Sequence, residues 1–183
     1  MAALQLAVLA SGDRVLQRHN ITSATAVCND GSPAAYYFRA ADDPSQSHIW
    51  VFQQQGGGWC WDAKTCLARA ESSPSLVSSN SWPSTYNAVA GSILSATGTQ
   101  FASANVVYLK YCTSDGYIGD VAASAATSNM HFRGRWVVSA TIAALQDSAF
   151  LHFLNSSWAC YTCSPLKSRT LVTSMYTVHR DDV

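Results

Sequence analysis

At 183 residues, with 48% hydrophobic and 12% charged positions, the chain is long enough to bury one real core and carries few surface charges. Eleven basic residues balance eleven acidic ones, which leaves no electrostatic footprint for nucleic acid. No apolar run approaches the ~18 residues needed to span a bilayer, so a transmembrane segment is not expected either.

The first 25 residues form an N-terminal segment. Met1 to Ala10 is apolar but short and lacks a basic flank, so it reads as the stump of a signal or as an ordinary first helix. Asn29-Asp30-Gly31 is a turn signal, and Pro33 continues the bend. Ala35 to Phe38 then predicts a strand. The polar stretch from Ala40 to Ser47 is long enough for a hairpin loop, with Ile49 to Phe52 as the returning strand.

That strand runs into Gln53 to Cys66, QQQGGGWCWDAKTC. Three glycines at a strand end permit a sharp turn, and without Cβ atoms they leave backbone N–H groups bare. Cys60 and Cys66, six positions apart, could tie the loop back on itself. Such a loop can hold an anionic oxygen, as an oxyanion hole does; the plain alternative is a tight strand-to-helix turn with no chemistry. A helix follows over 62–69, with Asp62 as its N-cap and Arg69 at the end favoured by the helix dipole.

Residues 71–96 are rich in Ser and Asn and suit short helices and loops over the surface. Asn105 to Tyr111 predicts the next strand. It ends in the polar turn Cys112-Thr-Ser-Asp-Gly116, so two turn-rich loops follow two apolar strands, where ligands bind in open α/β sheets. His131 and Arg133 precede a predicted helix over 135–146, with Trp136, Ala140, Ala143 and Ala144 on its packed face. They could contact a ligand; a surface Arg–Asp pair and a solvated His are the commoner arrangement. From 148 to 183 no sustained period or capped element is visible, and this tail is set apart from the 26–147 domain.

Six cysteines and two N-x-[ST] sequons, at Asn20 and Asn155, favour an oxidising, extracellular compartment. Cys160-Tyr-Thr-Cys163 has metal-site spacing, but no second pair completes a tetrahedral set, so no metal is expected.

Several words of the chain recur, in order, in one family. They are Cys28-Asn-Asp-Gly-Ser-Pro33 with Tyr36-Tyr37, Gly56-Gly-Gly-Trp-Cys60, Thr65-Cys66, Ser79-Asn-Ser-Trp-Pro83, Gly91-Ser-Ile-Leu-Ser95, Tyr111-Cys-Thr-Ser-Asp115, Gly119-Asp120 and His131-Phe-Arg-Gly134. Over about residues 26–146 the chain resembles the pectin acetylesterase family, which includes the Notum-type carboxylesterases. The resemblance implies an α/β-hydrolase fold with a mostly parallel sheet and flanking helices. It also implies a secreted, monomeric serine esterase, extracellular or in the cell wall, that needs no metal or organic cofactor. Its substrate would be an acylated polysaccharide such as pectin, or a lipidated protein. Carried onto this chain, the oxyanion donors come from Gly57, Gly58 and Trp59. The disulfides pair Cys28 with Cys112 and Cys60 with Cys66, and Ser114 and Asp115 fall near the pocket mouth.

One departure is large. The family's nucleophile elbow should follow the helix ending near Gln146, yet no G-x-S-x-G occurs in the 183 residues. No position matches the catalytic Asp or His, so the chain reads as an incomplete fold without its triad. Ser114, Asp115 and His131 are the nearest Ser/Asp/His set, and proximity in sequence does not make them one. Without the elbow strand, Val106 to Leu109 would keep an unpaired edge. The competing reading is a non-catalytic glycan- or partner-binding remnant that uses Trp59 and Trp61.

Overall fold

The computed structural model describes residues 15–89, 92–95, 98–147 and 171–174. Met1 to Ala10, Asn155, Cys160 and Cys163 lie outside the described residues. Six strands form one sheet: β1 (Leu16–Asn20), β2 (Ala35–Arg39), β3 (Trp50–Gln54), β4 (Thr85–Tyr86), β5 (Asn105–Leu109) and β6 (Leu171–Ser174). Among the described residues two α-helices accompany it, α1 (Ala63–Ser72) and α2 (Gly134–Asp147). The strand order is β4-β1-β2-β5-β3-β6.

β5 is the centre of this sheet. All five of its residues are buried, because successive side chains enter opposite cores. Val107 and Leu109 join Tyr36, Tyr111, Val137 and Leu145 on the face that α2 covers. Val106 and Tyr108 join Leu16, Tyr37, Val51 and Leu94 on the other face, where Ile93 and Phe101 pack from the connecting segment. A strand buried on both faces reads as a continuous apolar run, as Val106 to Leu109 does.

Three expectations change here. β2 and β3 do not form a hairpin, since β5 lies between them, antiparallel to β2 and parallel to β3. The β2–β3 connection is instead tied to the start of β5. Asn105 donates through Nδ2 to the carbonyls of Ser47 and Ile49, and its Oδ1 accepts from Ala41 N–H. Secondly, the β4–β1, β1–β2 and β2–β5 pairings are antiparallel and only β5–β3 and β3–β6 parallel, so the described sheet is mixed rather than mostly parallel. Thirdly, Val106 to Leu109 has no open edge, being paired on both sides. From the tail, Leu171–Ser174 adds a strand beside β3.

The two helices form where the sequence places them. Asp62 caps α1 by accepting from the backbone N–H of Thr65 at 2.7 Å, and the Thr65 hydroxyl accepts from Asp62 N–H in return. Among the described residues of α2 those buried are Gly134, Val137, Thr141 and Leu145, with Ala140 and Ala144 beside the last three. Trp136 and Ala143 are exposed, so the packed face is rotated from the expected one. The spacing of 137, 141 and 145 gives the same period with a different phase.

Candidate active site

The carboxyl ends of β3 and β5 lie side by side, and the site is built on them. Gln55 extends the pairing, donating its N–H to Leu109 O at 2.9 Å, while its side-chain Oε1 accepts from Tyr111 N–H at 3.1 Å. The Tyr117 hydroxyl sits 3.2 Å from Gln55 O and 3.1 Å from Leu109 O, closing the pair of strand ends. Beyond Gln55 the chain leaves the sheet through Gly56 to Gly58.

Gly57 has φ +153°, and a Cβ there would lie 3.1 Å from the Tyr111 ring and 3.2 Å from the Leu76 side chain. Gly58 has φ +69°, in the region that residues with a Cβ rarely enter. The loop therefore needs glycine at 57 for space and at 58 for conformation. Residues 56–59 are exposed. Among the described residues no acceptor meets the backbone N–H of Gly57, Gly58 or Trp59. Trp59 bridges to Asp115, Cys60 donates to Ser114 O at 3.2 Å, and the Cys60–Cys66 disulfide fastens the loop to the first turn of α1. Trp59 and Trp61 are 66% and 75% exposed, which places both indoles in solvent. A cleft of about 290 Å³ opens beside Trp61, lined also by Asp62, Cys66, Thr127, Ser128 and Phe132.

The second loop is locked from inside. Cys28 is bonded to Cys112, and both are buried. Asn29, 1% exposed, donates through Nδ2 to Thr113 O at 2.9 Å and to His131 O at 2.6 Å. Its Oδ1 accepts from the Ser114 hydroxyl at 2.7 Å. That hydroxyl in turn accepts from Arg69 Nε at 2.9 Å. Ser114 is 1% exposed, so it lies beneath the loop rather than at a pocket mouth.

Asp115 is similarly occupied. Its Oδ1 accepts from the Thr113 hydroxyl at 2.6 Å and Tyr117 N–H at 2.9 Å, and its Oδ2 from Gly134 N–H at 2.7 Å. A Cβ on Gly134 would overlap both this carboxylate and Tyr117, so the start of α2 can sit here only as glycine. His131 uses Nδ1 to accept from Ala123 N–H at 3.3 Å. Ser114, Asp115 and His131 are thus near one another without forming a nucleophile–base–orienter chain. Arg133 takes the bland arrangement, an ion pair with Asp120 at 2.7 Å, and Asp120 also accepts from the Trp136 indole.

Sequence reasoning did not assign Asn29 or Arg69 to the site. Asn29 reads as a turn residue, and its burial depends on a partner loop more than 80 residues away. The Tyr111 phenol was also unassigned. It accepts from Gly116 N–H at 2.6 Å, and burial above all pushes its pKa up to about 12. Arg69 carried one usable signal: it follows Cys66 by three positions, which puts it on the disulfide's side of α1.

The parallel strand pair, the glycine loop that leaves it and the capped helix that follows resemble the α/β-hydrolase fold. The Drosophila Wnt deacylase Notum has this fold, and its crystal structure superposes with a TM-score of 0.66 at 31% identity, over 72% of this chain and 38% of that one. The pectin acetylesterase family model matches residues 13–152, and the chain belongs to that family. It is 33% identical over 144 residues to Arabidopsis thaliana pectin acetylesterase 11, covering 76% of this chain and 36% of that protein. It is 34% identical over 102 residues to the inactive palmitoleoyl-protein carboxylesterase notum1b of Danio rerio, covering 54% of this chain and 70% of that one. Against pectin acetylesterase 11 and the Notum carboxylesterases of frog, zebrafish, human and fly, the chain spans 21–36% of the relative's length.

Proposed function

We propose that these residues are the oxyanion-binding part of a secreted carboxylic ester hydrolase that removes acyl groups, and that the 183-residue chain by itself does not turn over. The observation that carries this reading is the exposed row Gly57, Gly58 and Trp59 at the end of β3, whose amides meet no acceptor among the described residues. Donors held in place before the reaction need no reorganisation as charge develops on an ester oxygen. The nucleophile is what the chain lacks: no G-x-S-x-G occurs, and Ser114 is buried between Asn29 and Arg69. The substrate class follows the family, an acetylated polysaccharide such as pectin or a lipidated protein. Two disulfides, an exposed Asn20 in its sequon and a surface poor in charge fit an extracellular monomer.

Two measurements test the two halves. A fluorophosphonate probe should label no serine of the purified chain, and 4-nitrophenyl acetate should be hydrolysed no faster than background; stoichiometric labelling of one serine would overturn the second half. For the first, residues 53–66 are grafted in place of the equivalent loop of an active pectin acetylesterase. The graft should keep its esterase activity, and adding Gly58→Pro should lower kcat by roughly 10²–10³, the cost of an oxyanion donor. An unchanged kcat would count against the loop.

The exposure of Trp59 and Trp61, the latter lining the cleft, favours a second reading, a glycan-binding surface without catalysis. Indole faces stack on sugar rings. Titration with acetylated galacturonan oligomers decides it: saturable shifts of both indole N–H signals support the surface, and their absence removes it.

A further inference from the structure

Among the described residues Arg69 is a cation without a counter-ion. It stands in the later part of α1, half-buried, and its Nε is spent on Ser114 Oγ at 2.9 Å. Its guanidinium carbon lies 5.8 Å from the centroid of the Tyr111 ring, stacked over it. Nη1 comes within 3.9 Å of the point where a Cβ on Gly58 would sit, so the guanidinium backs directly onto the glycine loop. Nη2 is buried with no hydrogen-bond partner among the described residues. No carboxylate among the described residues pairs with it, and burial, the largest influence, lowers its pKa.

An uncompensated, partly desolvated guanidinium opposes folding, and a buried polar atom left unpaired calls for a reason. The glycine loop offers one. Gly57, Gly58 and Trp59 are exposed, and their backbone N–H groups meet no acceptor among the described residues. Fixed donors in front of a fixed positive charge make an anion site, and the charge raises its affinity because a partly desolvated pair is screened less than one in bulk water.

We propose that Arg69 is the positioning residue of the glycine loop, aiming it and lending it charge, and that loop and arginine together bind small monocarboxylates. Acetate, the acid released by an acetyl esterase, is the simplest member of that class. The proposal rests on the reading of Gly57 to Trp59 as oxyanion donors and adds the source of their charge. Arg69 touches no substrate; it acts through the loop. Ser114 and Asn29 orient it in turn.

The test is ¹⁵N–¹H spectroscopy of the full chain, titrated with sodium acetate against sodium chloride at matched ionic strength. Acetate should shift the Gly57, Gly58 and Trp59 amides saturably and leave β5 amides in place. Arg69→Gln should weaken that binding about fivefold or more, while Arg69→Lys, which keeps the charge, should recover most of it. A merely structural role would move stability in both variants but not the ratio of their acetate affinities. Equal affinity in wild type and Arg69→Gln would overturn the proposal. Should Arg69→Gln lose the dispersed β5 signals of a folded chain, Arg69→Lys decides: affinity within about twofold of wild type supports it, and loss of saturable binding overturns it. Absence of any acetate shift in the wild type also overturns it. The reading of the loop as an oxyanion hole is judged separately, by kcat of the grafted esterase with and without Gly58→Pro.

Discussion

Cys28–Cys112 and Cys60–Cys66 secure neighbouring loops in opposite ways. The first joins residues 84 apart, both buried, and around it the side-chain polar atoms of Asn29, Ser114 and Asp115 are all hydrogen-bonded. The second joins residues six apart at the rim, where the amides of Gly57 to Trp59 and the indoles of Trp59 and Trp61 face water. One loop is a foundation whose polar groups are used up by folding. The other keeps its donors unused, which is the condition for binding something. The contrast explains why the serine and aspartate beside the site are poor candidates for chemistry while backbone atoms are good ones.

The comparison can be broken most forcefully at the disulfides. On the chain-entropy model, removing Cys28–Cys112 by a double Ala substitution should cost about 4–5 kcal/mol, and removing Cys60–Cys66 only about 2 kcal/mol. Urea unfolding of the two double variants measures both; equal losses would mean that the two loops are not differently held. Next in size, Asn29→Ala should cost about 3 kcal/mol, since it orphans the Ser114 hydroxyl and two carbonyls in a buried place. A loss below about 1 kcal/mol in the same unfolding experiment would show that water replaces the side chain there.

Gly57→Ala and Gly58→Ala sharpen the comparison within the rim. At 57 the new methyl meets Tyr111 and Leu76, whereas at 58 nothing lies closer than 3.9 Å. The first should cost about 1–3 kcal/mol through crowding as well as backbone strain, the second about 1 kcal/mol from strain alone. The thermal midpoints of the two variants should fall in that order.

The smallest effect concerns pH. Burial acts first on Asp30 and raises its pKa, but hydrogen bonds from Ser32 and Ser78 together outweigh it, and the pKa falls below the reference value of 3.8. A depressed folded-state pKa means stability that is fully present above about pH 4 and is lost as pH falls through the folded value. Asp30→Asn should lower stability slightly near pH 7 and flatten the acid side of the stability curve, so that its difference from the parent chain shrinks towards pH 2. Urea midpoints between pH 2 and pH 7 would show this, and a difference that persists undiminished at pH 2 would exclude linkage to Asp30.

Local chemistry was legible in the chain. Gly56 to Gly58 after an apolar run, Asp62 three residues before Thr65, and the apolar spacing of 134–147 all act within a few residues, so they fixed the loop, the cap and the helix before any tertiary contact is considered. Sheet order was another matter. Nothing within residues 35–52 says that β5 will insert between β2 and β3; that depends on Asn105 tying back the 40–49 connection and on two cores competing for alternate side chains of one strand. Burial decided the roles of polar residues in the same way. Ser114 and Asp115 have the composition of an active site, but Asn29, Arg69 and Gly134 arrive from distant parts of the chain and consume their hydrogen-bonding groups. What the sequence determined by itself was where the backbone turns and exposes its amides; which side chains stay free to act beside those amides was decided only when the fold brought their partners together.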